Sequence, residues 1–280
     1  MKFKIFFAIA ATLLLLAFLY PSIPFKGLGL IEWKLLNAQS TKLYSEEKYV
    51  KALLVAKHSL KVAEEKVGPE SLRAAKSLNK LGEIYIHQKK YNQAEKNLKL
   101  ALKIREEKLG PSHSVVATSL NNLGVLYHYK GKYNKAEKLH KKVLAMRKKS
   151  FGFYSSEVET SLHNLAEASK KLEKYKDSLT FNLQSLDVYE KIKKPKNSYM
   201  ATVLHDIGWL YYRRGNYEKL HRKSDYKKAE VYYLRALKIR ENVLKPNQLK
   251  IQSTLVNLAS LYKKTGQTVK AKKMGVRIKK

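Results

Sequence analysis

The stretch Ser119–Glu137, SLNNLGVLYHYKGKYNKAE, decides the architecture. Leu120, Leu123, Gly124 and Tyr127 recur at i, i+3, i+4 and i+7, which places them along one face of a helix. The periodicity predicts that helix over Val116–Lys130, and Gly131 breaks it. A second helix follows over Lys132–Lys149, with Ala136, Leu139, Val143, Leu144 and Met146 at helical spacing and Gly152 as its stop. The stretch is thus the corner of a helical hairpin. No segment of the chain shows strand alternation.

The same corner recurs. A tyrosine followed three residues later by a small residue stands at Tyr49/Ala52, Tyr91/Ala94, Tyr133/Ala136 and Tyr175/Ser178, every 42 residues, and again at Tyr226/Ala229, 51 residues on. Gly82, Gly124, Ala166, Gly208 and Ala259 follow the same spacing, as do Pro69, Pro111, Pro195 and Pro246, with Phe153 at the vacant proline position. Three columns sharing one nine-residue insertion mark a repeat architecture, in which each unit buries its apolar face on its neighbours. The small column has a packing reason, since Gly124 and its equivalents let the two helices of a hairpin approach closely. The insertion falls within GNYEKLHRKSDYKKAE (Gly215–Glu230), where Asn216-Tyr217-Glu218-Lys219 resembles a copy of Asp225-Tyr226-Lys227-Lys228. It is expected as a tolerated extension of an exposed turn, with a basic contact loop as the functional alternative.

The Leu120, Leu123, Gly124, Tyr127 and Ala136 pattern resembles the tetratricopeptide repeat. The 42-residue period, with ALKIREEKLGPSHSVVA (Ala101–Ala117), is similar to the kinesin-light-chain variety of that family. The resemblance implies an all-α, right-handed α-solenoid of about six helical hairpins. Units are expected at about 31–70, 71–112, 113–154, 155–196, 197–247 and 248–280, within a repeat domain 26–280 that follows an N-terminal segment 1–25. The first unit is degenerate, with Gln39 and Ser40 in place of the Leu-Gly pair, and the last is truncated.

The resemblance also implies a concave groove lined by one face of each first helix, where such proteins bind peptides. Carried onto this sequence, the face holds Lys76, Asn79, Lys80 and His87, then Asn121, Asn122, His128 and Tyr129. It continues with His163, Asn164, Lys170 and Lys171, with His205, Trp209, Tyr212 and Arg213, and with Asn257, Lys263 and Lys264. Asn side chains can both donate to and accept from an extended backbone, aromatic residues give rigid anchoring area, and Lys and Arg pair with carboxylates. The implied partner is a protein or peptide segment, acidic in character.

Composition sets a second hypothesis. With 57 Lys and Arg against 23 Asp and Glu the net charge is +34, which calls for an acidic partner. Most of that charge falls outside the groove positions, as Lys132–Lys149 shows with Glu137 as its one acid. The alternative reading is therefore a polyanion-binding module that lays its basic outer surface on anionic lipid, or on nucleic acid if the chain is cytosolic. No helix-turn-helix, zinc-finger or RNA-binding signature supports the nucleic acid.

The start of the chain reads differently. Basic Lys2 and Lys4 precede an uncharged, largely apolar run, Ile5–Phe25, which Pro21 and Pro24 interrupt near its end. That describes a signal peptide or an uncleaved membrane anchor, since a span takes about 17–25 residues. The positive-inside rule puts Lys2 and Lys4 in the cytoplasm and the repeats outside it, in the cell envelope.

No chemistry is expected. The chain has no cysteine, so disulfides, thiol catalysis and cysteine-ligated zinc are excluded. The eight histidines show no metal-ligand spacing, no glycine loop cradles a phosphate, and no serine sits in a nucleophile elbow. The expectation is a membrane-tethered interaction scaffold, with no catalytic residues, cofactor or metal.

Overall fold

The computed structural model describes residues 25–193, 195, 197–243 and 248–278. Among them are twelve α-helices and no strand: α1 (Phe25–Ser45), α2 (Tyr49–Val67), α3 (Leu72–His87), α4 (Tyr91–Leu109), α5 (Ser114–Tyr129), α6 (Tyr133–Phe151), α7 (Ser156–Lys171), α8 (Tyr175–Lys191), α9 (Ser198–Tyr217), α10 (Arg222–Val243), α11 (Leu249–Lys264) and α12 (Thr268–Ile278). The sequence places α5 and α6 correctly to within two residues at each end. Contacts along the chain divide it between Met146 and Arg147 into two compact units. In the first, α1 packs on α2, α2 on α3, α3 on α4 and α4 on α5; in the second, consecutive helices from α7 to α12 pack in the same way. This is the all-α succession of helical hairpins that the repeat implies. First helices also touch one another, α1 on α3 and α3 on α5 in the first unit, α9 on α11 in the second.

Among the described residues no helix is long and apolar enough to cross a membrane. The leader run, apart from Phe25, lies outside the described residues.

One backbone position ends the first helix of every hairpin but the fifth. Glu47, Lys89, Gly131, Glu173 and Gly266 all take left-handed φ values, between 58° and 73°. At Gly131 the turn closes in a Schellman pattern, with Gly131 N donating to His128 O at 3.0 Å and Lys132 N to Tyr127 O at 2.8 Å. Glu47, Lys89 and Glu173 hold the same conformation without glycine's freedom, at a cost of about 1–3 kcal/mol each.

The equivalent residue in the fifth hairpin, Gly215, is helical instead, and α9 runs through it to Tyr217. The insertion therefore does not extend an exposed turn, as the sequence reading had it. It lengthens α9 and α10 and leaves only Glu218–His221 between them. Arg214 fastens the added turns: its Nε donates to Asp225 Oδ2 at 2.7 Å and its terminal nitrogen to Oδ1 at 2.6 Å. Arg222 Nε donates to Gly215 O at 3.2 Å and Tyr226 Oη to Asn216 Oδ1 at 2.9 Å.

Two columns carry the packing. A Cβ on Gly82 would strike Leu98, one on Gly124 would lie 2.6 Å from the His140 ring, and one on Gly208 2.8 Å from Tyr233. The close approach read from the sequence is therefore real. At Ala166 the facing position is the smaller, fully buried Asn182. The second column is arginine. Arg105 donates to Ser119 Oγ at 2.7 Å and to Val115 O, and Arg147 donates to Ser161 Oγ at 2.8 Å and to Glu157 O at 3.0 Å. Arg240 does the same to Thr254 Oγ1 and Lys250 O. Each guanidinium thus staples the second helix of one hairpin to the first helix of the next. Burial pulls the Arg105 guanidinium down to about 10 and lowers those of Arg147 and Arg240.

Candidate functional site

In the first unit the exposed faces of α1, α3 and α5 follow one another. Lys34, Asn37, Ala38, Thr41, Lys42 and Ser45 of α1, with Trp33 and Lys76, line an open cleft of about 540 Å³. The Trp33 indole donates to Ser77 Oγ at 3.0 Å, which fixes the ring as the cleft wall. The Arg73 and Lys76 cations lie 5.7 and 5.6 Å from its centroid. Lys34, Lys42 and Lys76 are exposed, and no acid lines the cleft.

Further along the face, Glu83 gathers three predicted residues. It accepts from Asn79 Nδ2 at 2.9 Å, from Asn122 Nδ2 at 2.7 Å and from the Lys80 ammonium. These amides are therefore committed to a carboxylate, and Asn121 beside them is buried. Lys80 also stands over the Tyr44 ring at 4.7 Å, and His87 stacks on Tyr49 at 4.8 Å and meets Tyr44 edge-on at 5.2 Å. Burial, then the Glu83 charge, pushes the Tyr44 hydroxyl up, so it stays a neutral donor. His128 packs between Tyr129 and Tyr133, and Tyr129 is exposed.

In the second unit Lys170 bridges Glu167 at 2.6 Å and Asp206 at 3.0 Å. Burial works against the Lys170 charge, but the two carboxylates outweigh it and raise its ammonium. Burial, with Glu167 adding to it against Lys170, pushes the Asp206 carboxyl up to about 6. Arg213 lies 3.7 Å above Tyr175, and Trp209 meets Tyr175 edge-on at 5.8 Å. Tyr212 is tilted against Tyr226. His163 is half-buried against Tyr199, and Asn164 beside it is half-buried too. Lys171, Lys263 and Lys264 are exposed.

His205 is placed differently. Its Nε2 faces Asn257 Nδ2 at 3.2 Å, its Nδ1 faces Arg240 at 3.3 Å, and its ring lies 5.4 Å from Tyr233. Burial, then the Arg240 and Lys170 charges, pull the imidazole down to about 3, so it packs as a neutral ring and Asn257 is taken up by it. Among the described residues no three His, Asp or Glu side chains come together as a metal site.

Sequence reasoning passed over the α1 side of the cleft because Gln39 and Ser40 stand where the Leu-Gly pair belongs. A shift of 42 from Lys76 and Asn79 would have found Lys34 and Asn37. Ser40 still keeps the column small: fully buried, its hydroxyl donates to Ala52 O at 3.1 Å.

The family model for the tetratricopeptide repeat matches residues 43–107, 73–149 and 157–219, together more than half of the chain. No curated protein matches. Among solved structures, BtubC (BKLC) from P. vanneervenii is 23% identical, covering 82% of this chain and 89% of that one at a TM-score of 0.67. A putative kinesin light chain from Podospora anserina with nearly identical TPR-like repeats is 18% identical over 75% and 94% of the two chains, TM-score 0.59. A Rap protein complexed with Competence and Sporulation Factor is 16% identical over 94% and 81%, TM-score 0.59.

Proposed function

Since the chain belongs to the tetratricopeptide-repeat family, we propose that it is a protein-interaction scaffold that holds an acidic segment of a partner along its first-helix faces. The cleft beside Trp33 carries this reading. It is open, walled by a fixed aromatic ring, and ringed by Lys34, Lys42 and Lys76 without an acid. An extended segment there finds Asn37 and Thr41 for its backbone and ammonium groups for its carboxylates. The Rap protein, solved with Competence and Sporulation Factor, shows a protein of this fold holding a factor.

The scaffold is tethered to a membrane by Ile5–Phe25, with the repeats on the extracytoplasmic side. The apolar run and the basic Lys2 and Lys4 before it support this placement. No step of the reading requires a cofactor or a catalytic residue.

The test is crosslinking and pull-down from membranes, with the wild type beside Lys34→Glu/Lys76→Glu. Both side chains are exposed, so the pair leaves the fold intact. The wild type is expected to recover specific proteins that the variant loses. If the variant keeps the same proteins, or the wild type recovers no protein and only lipids or polyanions released by high salt, the cleft is not the working surface and the peptide reading is wrong.

A further inference from the structure

The insertion between α9 and α10 builds a tip with a different composition from the rest of the surface. Leu220 is 87% exposed and Tyr217 74%, the first the most exposed of the chain's large apolar side chains among the described residues. Lys219, His221, Arg222 and Lys223 surround them, all exposed, with Glu218 the one acid on the surface of the tip. The nine-residue insertion thus presents a leucine and a tyrosine at its apex among basic side chains.

The tip stands on a rigid base. Asp225, 1% exposed, holds Arg214 in a two-bond fork, Gly215 lies against the Tyr226 ring, and Arg213 covers Tyr217 at 4.8 Å. The ordering that usually weakens a loop contact is therefore met in the fold itself.

We propose that this tip docks on an anionic lipid surface, with Leu220 entering the acyl boundary, Tyr217 at the headgroup level and Lys219, Arg222 and Lys223 on lipid phosphates. Tyrosine favours the membrane–water interface, because its ring is apolar and its hydroxyl polar. Basic residues beside an apolar anchor make a weak insertion stable on anionic lipid. A protein partner fits less well, since a stable interface needs about 800 Å² from each side and a four-residue turn cannot supply it. The +34 net charge of the chain draws it toward the same surface. This contact is independent of the acidic-segment cleft, which lies in the other unit.

The chain has no cysteine, so a single one reports on one place. His221→Cys, labelled with a polarity-sensitive fluorophore, leaves Tyr217 and Leu220 in place. The full chain is reconstituted in phosphatidylcholine vesicles, or in vesicles with one-third phosphatidylserine, each doped with nitroxide lipid. A blue shift and quenching are expected in the phosphatidylserine vesicles only, and a label on Lys132→Cys in the third hairpin turn stays unquenched. Tyr217→Ser/Leu220→Ser and Lys219→Glu/Lys223→Glu each return the label to its aqueous spectrum. A label at 221 that stays aqueous on anionic vesicles overturns the proposal. So does equal quenching at 132, or a blue shift that grows with protein concentration in the absence of lipid, which marks self-association.

Discussion

Gly124 offers the sharpest test of the packing. A methyl group there would sit 2.6 Å from His140 Cε1, 2.8 Å from Nε2 and 3.0 Å from Nδ1. Contacting heavy atoms prefer about 3.5–4.0 Å, so the ring must retreat by about 1 Å. His140 is 1% exposed and has little space to retreat into. Overpacking of this kind costs about 1–3 kcal/mol. Alanine recovers about 0.5–1 kcal/mol of that through its better helix propensity. Gly124→Ala should therefore lose up to about 2.5 kcal/mol net. Gly275 in α12 is the control, because nothing lies within 4 Å of its added Cβ and the same substitution keeps only the gain. The chain itself supplies the remedy, since the matching pair in the next hairpin is Ala166 with Asn182. Moving that pair into place, Gly124→Ala/His140→Asn should be more stable than the sum of the single changes by about 1–3 kcal/mol. Urea unfolding followed by far-UV circular dichroism reads the wild type, Gly124→Ala, Gly275→Ala, His140→Asn and the double variant. A Gly124→Ala protein as stable as Gly275→Ala, or additive single and double changes, would refute the close approach and with it the register.

Further outcomes follow from the same geometry. Arg105→Met should lower stability by about 1–3 kcal/mol in urea melts, because it strands buried Ser119, and Arg105→Lys should not restore it, because the shorter and more strongly hydrated ammonium is costly to bury there. Arg214→Gln leaves the Asp225 carboxylate buried and unpaired at a cost of about 3–5 kcal/mol, most of which Asp225→Asn in the same protein should return. Burial keeps His205 neutral in the fold to about pH 3, so the unfolded chain takes up its proton first. Its contribution is thus complete above about pH 6.5 and is lost as pH falls toward 3, and the His205 imidazole resonance should shift only near the lower value. Asp206 has the opposite sign: raised to about 6, it favours the fold below about pH 4 and loses that advantage as pH rises through 6, so Asp206→Asn should flatten stability across that window.

The repeat was legible because small, aromatic and helix-stopping residues recur where geometry leaves them no alternative. Gly124 faces a ring, Gly131 turns left-handed, and Gly110 ends α4 at a φ of 79°. The arginine column was not legible: Arg105 and Arg147 keep the period, but Tyr189 breaks it and 57 basic residues conceal it. The insertion misled because Gly215 occupies the turn position. Nothing local says that Arg214 finds Asp225 across the added turns and keeps Gly215 helical. On the candidate face the sequence located the right positions but not their commitments. Asn79 and Asn122 look available until Glu83 is placed between them, and His205 until Arg240 and Asn257 are. Asn79 and Glu83 are four residues apart on α3, but the other pairings join residues 35 to 52 apart and depend on the packing of whole hairpins.

The acidic-segment cleft is tested most directly by a photo-crosslinking amino acid at Thr41, inside the cleft, and at Lys96, on the exposed side of α4, in chains irradiated in intact cells. A specific protein adduct at position 41, absent at 96 and abolished by Lys34→Glu/Lys76→Glu, is the expected result. Adducts at 96 and none at 41 would contradict it and move the working surface to the outside of the helices.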